Sequence, residues 1–256
     1  MPNNQVKIIF LGDRQIASKV LRLFCNNYES EYFMISGLVS SEVFFNNHKE
    51  QLNANLKFVS NEKQNTDLIL KLVEVTNANM LLSVQHNWIL KNEILQSVGG
   101  NAFNLHNAKL PDYKGFNSIS HAIDNGDQIY TSTLHWMDEM VDSGDILIEE
   151  CTPILDTDTA ESLHHKTIVA SVKAMDQFFS YIAENKPLPR KRIKNIKSGV
   201  FYAKDSLKKI LKINMSDPVE KINRRIRAVY YPPYNNAYTI VNGLKIDLIP
   251  RERERE

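Results

Sequence analysis

Phe103-Asn104-Leu105-His106 sets an amide and an imidazole two positions apart within an otherwise apolar run. A strand with side-chain period two sends Asn104 and His106 to one face and Phe103 and Leu105 to the other. A hydrogen-bond donor and a proton carrier would then sit together at a strand's carboxyl end, where open α/β sheets bind ligands. Two further segments follow in order, Leu110-Pro111-Asp112-Tyr113-Lys114-Gly115 and a long stretch from Thr131 to Ile146 that contains His135, Asp138 and Asp142. An amide, an imidazole and a carboxylate in one pocket could stabilise charge developing on an oxygen and move a proton. Taken alone, Asn-x-His also reads as a turn-capping asparagine beside a satisfied histidine, and Asp142-Ser143-Gly144-Asp145 as a turn before a strand. His135, on an apolar strand beside Trp136, reads as a structural or supporting residue and not as a base.

These residues need a scaffold, and the chain supplies alternating signals for one. Lys7 to Leu11 is a short β-rich run ended by Gly12, and Gln15 to Asn26 carries apolar residues at helical spacing. Phe33 to Val39, a helical Asp67 to Val75, Met80 to Val84, Lys91 to Val98 and Ala102 to His106 continue the alternation. Strands and helices taking turns imply an α/β, Rossmann-like, mostly parallel sheet with helices on both faces. Beyond it come a helix ending at Asn125, strands at Tyr130 to Trp136 and Asp145 to Cys151, and a long helix from Ala160 to Glu184. Lys186 to Lys197 is basic, contains prolines and reads as a connector. Pro218 to Tyr230 looks helical, and Ala237 to Leu248 reads as a hairpin turning at Asn242-Gly243. The expected division is a catalytic unit over residues 1–200 and a small helix-and-hairpin unit over 201–256.

Composition narrows the classes. The 256 residues are 43% hydrophobic and 24% charged, an ordinary globular balance. With 31 basic and 30 acidic residues, the net charge of +1 gives no global footprint for nucleic acid or a membrane surface. Cys25 and Cys151 are far apart and show no ligand spacing, which fits a reducing compartment. Met1 to Val6 is polar and does not resemble a leader, and no run approaches the ~18 apolar residues of a span. A cytoplasmic protein is expected. His164-His165 has no ligating partner at helical spacing, so no metal is expected. A single glycine in Gly12-Asp13-Arg14-Gln15 argues against a nicotinamide site. The RERERE ending, Arg251 to Glu256, is set aside from the fold argument.

The three segments together resemble the Asn-x-His, Leu-Pro-x-(Tyr)-Arg-Gly and His-x-Met-Asp-x-x-x-Asp-x-Gly-Asp-Ile signatures of formyltransferases that use N10-formyltetrahydrofolate. The resemblance runs from about Ile8 to Ile148 and rests on three motifs in the right order. It implies a catalytic trio at Asn104, His106 and Asp142, with Asn104 donating to the oxyanion of a tetrahedral species, His106 exchanging the proton or donating, and Asp142 orienting and charging His106. Which of His106 and Asp142 is the base stays open. The resemblance also places folate against Gln85, His86, Trp88, Asp138 and Asp142. The Val84 to Leu90 segment equally reads as sheet packing.

Asn104 to Pro111 and the Ile226-Arg227-Ala228-Val229-Tyr230-Tyr231-Pro232-Pro233-Tyr234 stretch resemble the sugar N-formyltransferase subgroup. The implied acceptor is a nucleotide-linked amino sugar, of the dTDP-4-amino-4,6-dideoxyglucose type, made for a surface polysaccharide. Gly12, Asp13, Lys114, Tyr230, Tyr231 and Tyr234 are the residues expected to contact it. Lys114 stands where many relatives have arginine, which removes a bidentate anion contact. Rival readings are another folate-dependent formyltransferase, a formyltetrahydrofolate hydrolase, and a degenerate folate- or nucleotide-binding module. The hairpin's apolar set, Tyr238, Ile240, Leu244, Ile246 and Leu248, calls for a cover, and a homodimer is expected to provide it.

Overall fold

Alternation along β1 (Val6–Gly12) buries its side chains on both faces, Ile8 and Phe10 into one layer and Ile9 and Leu11 into the other. A computed structural model describes residues 5–193 and 199–251. Residues 252–256 of the charged tail, 194–198 of the connector and the first four residues lie outside that range. Around β1, the strands β2 (Phe33–Ser40), β3 (Lys57–Ser60), β4 (Met80–Val84) and β5 (Ala102–His106) run parallel. β6 (Tyr113–Gly115) leaves this sheet, which is completed by β7 (Ile129–Trp136) and β8 (Ile146–Pro153), each antiparallel to its neighbour. The strand order is β3-β2-β1-β4-β5-β7-β8.

Helices α1 (Gln15–Asn27), α2 (Glu42–His48), α3 (Thr66–Thr76), α4 (Asn92–Ser97), α5 (Ser118–Asn125) and α6 (Ala160–Ala183) cover the sheet and its edge. α1 and α6 share one layer, where Phe24 and Phe179 lie edge to face with ring centres 5.1 Å apart. α3 and α4 form the other layer through Ile69, Leu72, Ile94 and Leu95. The mostly parallel sheet with helices on both faces is therefore as the alternation predicts. α2, β3 and β6 were not legible in the sequence, because each is short and none carries a full period of apolar residues.

After α6 the chain passes back to β6. β9 (Val200–Tyr202) pairs in parallel with β6. α7 (Lys208–Leu211), α8 (Val219–Val229) and the hairpin strands β10 (Ala237–Val241) and β11 (Leu244–Leu248) follow. Asn242 and Gly243 both take positive φ, 50° and 82°, as a two-residue turn of mirror-image type requires. The register puts Tyr238 and Ile240 on one hairpin face and Leu244, Ile246 and Leu248 on the other, so the apolar set expected as one surface is divided. Ala237 and Leu248 at the hairpin base pack with Ile210, Ile213 and Val229, whereas Leu244 at the tip is 70% exposed.

Candidate active site

Three neighbouring strands place a polar row on one face of the sheet. Ser83 of β4 stands beside Asn104 of β5, and Asn104 stands beside His135 of β7. α4 covers the Ala102 end of β5, and the face beyond it, at Asn104 and His106, opens into a cavity of about 300 Å³. Asn104 Nδ2 lies 3.1 Å from His135 Nε2, and His135 Nδ1 lies 2.8 Å from the Trp136 carbonyl oxygen. A carbonyl only accepts, so Nδ1 carries the hydrogen and Nε2 takes one N–H of the Asn104 amide. The second N–H of that amide is left for a ligand.

His106 is held through a different element. Its Nε2 donates to the Tyr113 carbonyl of β6 at 2.7 Å, which leaves Nδ1 facing Asp142 Oδ1 at 3.6 Å. Gly115, two residues along β6, donates its backbone N–H to Asp142 Oδ2 at 3.3 Å. Asp142 also lies 3.7 Å from His135 Nε2 and is only 8% exposed. It reaches in from the loop between β7 and β8 with a left-handed backbone, φ 53°, a conformation that Asp and Asn tolerate better than most residues. The loop is fixed locally: Asp138 accepts from the Ser143 hydroxyl and from the Met140 N–H, and a Cβ on Gly144 would sit 1.7 Å from the Trp136 carbonyl oxygen. The Asp-Ser-Gly-Asp turn is thus the device that aims Asp142.

Burial and neighbours set the charges. Burial pushes the Asp142 carboxyl up, but the neighbouring His106 and the Gly115 N–H outweigh it and hold it below the usual carboxylate range. Burial lowers the basicity of His106, with Asp142 and the Tyr113 carbonyl working the other way. The resting site therefore holds an ionised carboxylate beside a neutral imidazole. A developing oxyanion would find the free Asn104 N–H, and a proton arriving at His106 Nδ1 would be stabilised by Asp142.

The cavity also collects Gln85, His86, Trp88 and Asp138. Gln85 has φ 54° and accepts the Ile16 N–H at 2.9 Å, capping α1 across the sheet top. His86 lies edge to face on Trp88 at 5.0 Å, both of its ring nitrogens are buried without a hydrogen-bond partner, and burial pushes it down to about 4. The residues expected on the acceptor side are not among those lining this cavity. Gly12 packs against Ala17 and the Val84 carbonyl, and the Asp13 carboxylate accepts from Ser41 and Asn61. Lys114 stands on β6 between the two residues that hold His106 and Asp142. Tyr230 accepts the Glu161 N–H, and Tyr231 packs between His164 and Tyr234 at 5.6 and 5.7 Å near the start of α6. Asn107, which follows His106 and lines the cavity, reaches Thr167 of the same helix at 2.9 Å.

Sequence reasoning missed Phe116 and Phe201 at the cavity mouth. Phe201 is far along the chain, and only the pairing of β6 with β9 brings it in. Among the described residues no group of three or more His, Cys, Asp or Glu could hold a metal ion, and no helix is long and apolar enough to cross a membrane.

Comparison with known proteins adds to this geometry. Residues 33–178 match the family described as formyl transferase. A methionyl-tRNA formyltransferase of Methylacidiphilum infernorum is 30% identical over 67% of this chain. The chain spans 52% of that relative's length and 64% of the next two, so it covers about half to two thirds of the curated relatives it matches. A 4-N formyltransferase from Francisella tularensis superposes with a TM-score of 0.79 at 18% identity, covering 98% of this chain and 100% of its own. An N-formyltransferase from Helicobacter canadensis, solved with folinic acid and dTDP-3-aminofucose, gives 0.74 at 20% identity and covers 94% and 86%.

Proposed function

Because the chain belongs to the formyl transferase family, we propose that it moves a formyl group from N10-formyltetrahydrofolate to the amine of a nucleotide-linked amino sugar. The observation that carries this reading is the grouping of Asn104, His106 and Asp142 at one cavity, with the His106–Asp142 pair 3.6 Å apart. Transfer forms a bond from the acceptor nitrogen to the formyl carbon and breaks the bond from that carbon to the folate nitrogen. The carbonyl oxygen gains charge in between, and Asn104 donates its free N–H to it. His106 takes the amine proton at Nδ1, because Asp142 is too acidic to hold it and close enough to stabilise the resulting imidazolium. The proton then passes to the departing folate nitrogen.

Folate against the Gln85 to Leu90 loop and Asp138 is supported by the cavity lining there and by the unpartnered ring of His86. A sugar acceptor is supported by the likeness to the Helicobacter N-formyltransferase solved with dTDP-3-aminofucose. We further propose a dTDP-4-amino-4,6-dideoxyglucose acceptor, Gly12, Asp13, Lys114 and the Tyr230, Tyr231 and Tyr234 group as its nucleotide-side contacts, a role in surface polysaccharide synthesis, and a homodimer joined near the exposed hairpin tip. A second reading, formylation of methionyl-tRNA, is favoured by the identity to the Methylacidiphilum enzyme.

Incubating the protein with N10-formyltetrahydrofolate and, separately, dTDP- and GDP-linked amino sugars or methionyl-tRNA separates these readings. Mass spectrometry should find a product heavier by one formyl group with an amino sugar. Formylation of methionyl-tRNA alone would select the second reading, and release of formate in the absence of any amine would select hydrolysis.

A further inference from the structure

Two phenylalanines stand on the wall of the cavity nearest β6 and β9. Phe116 and Phe201 are 44% and 62% exposed, and both line the cavity that holds Asn104, His106 and Asp142. A lone exposed phenylalanine is ordinary, but two together at the rim of a cavity that holds the trio form an apolar surface available to a ligand. Their placement is built into the backbone. The Phe116 N–H donates to the Tyr202 carbonyl at 2.9 Å, extending the β6–β9 ladder. Gly115 takes φ +83°, and a Cβ there would lie 3.0 Å from the Phe201 ring and 2.5 Å from the Tyr202 carbonyl oxygen. The Phe201 ring thus rests over the residue whose N–H holds Asp142.

Resting on the formyl-transfer reading above, we propose that Phe201, flanked by Phe116, is the acceptor-selecting platform, stacking on the C–H-rich face of a deoxyhexose ring and presenting its amine to Asn104 and His106. The formyl carbon carries the departing and the incoming nitrogen on different bonds, so donor and acceptor approach the trio from different sides. With folate on the Gln85 to Leu90 loop, the β6–β9 wall is left to the acceptor. An aromatic ring offers a broad apolar surface at low entropic cost, which suits the flat face of a sugar.

The test uses wild type, Phe201→Ala, Phe201→Leu and Phe201→Tyr, assayed with N10-formyltetrahydrofolate and dTDP-4-amino-4,6-dideoxyglucose, with folinic acid binding followed by calorimetry. Phe201→Ala should raise the amino-sugar KM about tenfold or more, with a much smaller change in kcat and unchanged folinic acid affinity. Phe201→Leu should fall between, and Phe201→Tyr should restore the KM. If Phe201→Ala does not fold, the leucine variant carries the comparison. An unchanged amino-sugar KM in a folded variant overturns the proposal, as does a loss confined to folinic acid binding, which would assign the ring to the donor. Absence of transfer by the wild type to this sugar nucleotide would instead overturn the acceptor reading itself, before any substitution is made.

Discussion

Asn104 gives one amide hydrogen to Nε2 of His135 at 3.1 Å and keeps the other for the cavity. The imidazole thereby fixes the plane of the donor that the reaction needs. Asn104→Ala should lower kcat by about 10²–10³, the usual cost of one oxyanion donor. His135→Phe should cost less, about tenfold, by letting the amide rotate. The double variant should be no worse than Asn104→Ala, since the two residues act as a unit. Additive losses in a steady-state cycle would show that His135 works by a separate route.

His106→Asn and Asp142→Asn should each lower turnover about 10²-fold or more, with thermal midpoints close to wild type. Asparagine is the informative replacement at Asp142 because it accepts the left-handed backbone found there. Wild-type rates in either variant, measured by tetrahydrofolate release, would move the chemistry away from this site.

Gly144→Ala tests how Asp142 is aimed. A methyl at that position meets the Trp136 carbonyl oxygen at 1.7 Å, and backbone cannot yield cheaply. The loop must shift, so the expected result is a loss of about 2–3 kcal/mol of stability together with a collapse of kcat. Full activity with an unchanged melting point would mean that the loop tolerates displacement.

His86 should make stability depend on acidity. An unfolded imidazole binds a proton near pH 6.5, whereas burial keeps the folded one neutral until about 4. Unfolding therefore takes up a proton as pH falls through 6.5. The stability is complete above that pH and is lost progressively toward 4, by an amount on the order of 3 kcal/mol. His106, displaced in the same direction, adds to the slope. His86→Phe should flatten it between pH 7.5 and 5 in denaturant titrations, and an identical slope in the variant would refute the assignment.

Period two at Asn104 and His106, alternating strands and helices, and the Asn242-Gly243 turn were legible in the sequence because each is a local rule of backbone geometry. Resemblance carried that reading to the trio, since the Asn-x-His and Asp-x-x-x-Asp segments keep their order along the chain. The β6–β9 pairing was not legible: it joins two three-residue strands with a long helix between them, and neither has enough apolar alternation to announce itself. That pairing supplies the carbonyl for His106, the N–H for Asp142 and the ring of Phe201. The same limit applies to Gln85, whose side chain caps α1, and to the hairpin, whose apolar residues divide between two faces once the register is set. Sequence determined which groups could do the chemistry; contacts between distant segments decided their distances and partners, because those follow from packing and not from spacing along the chain.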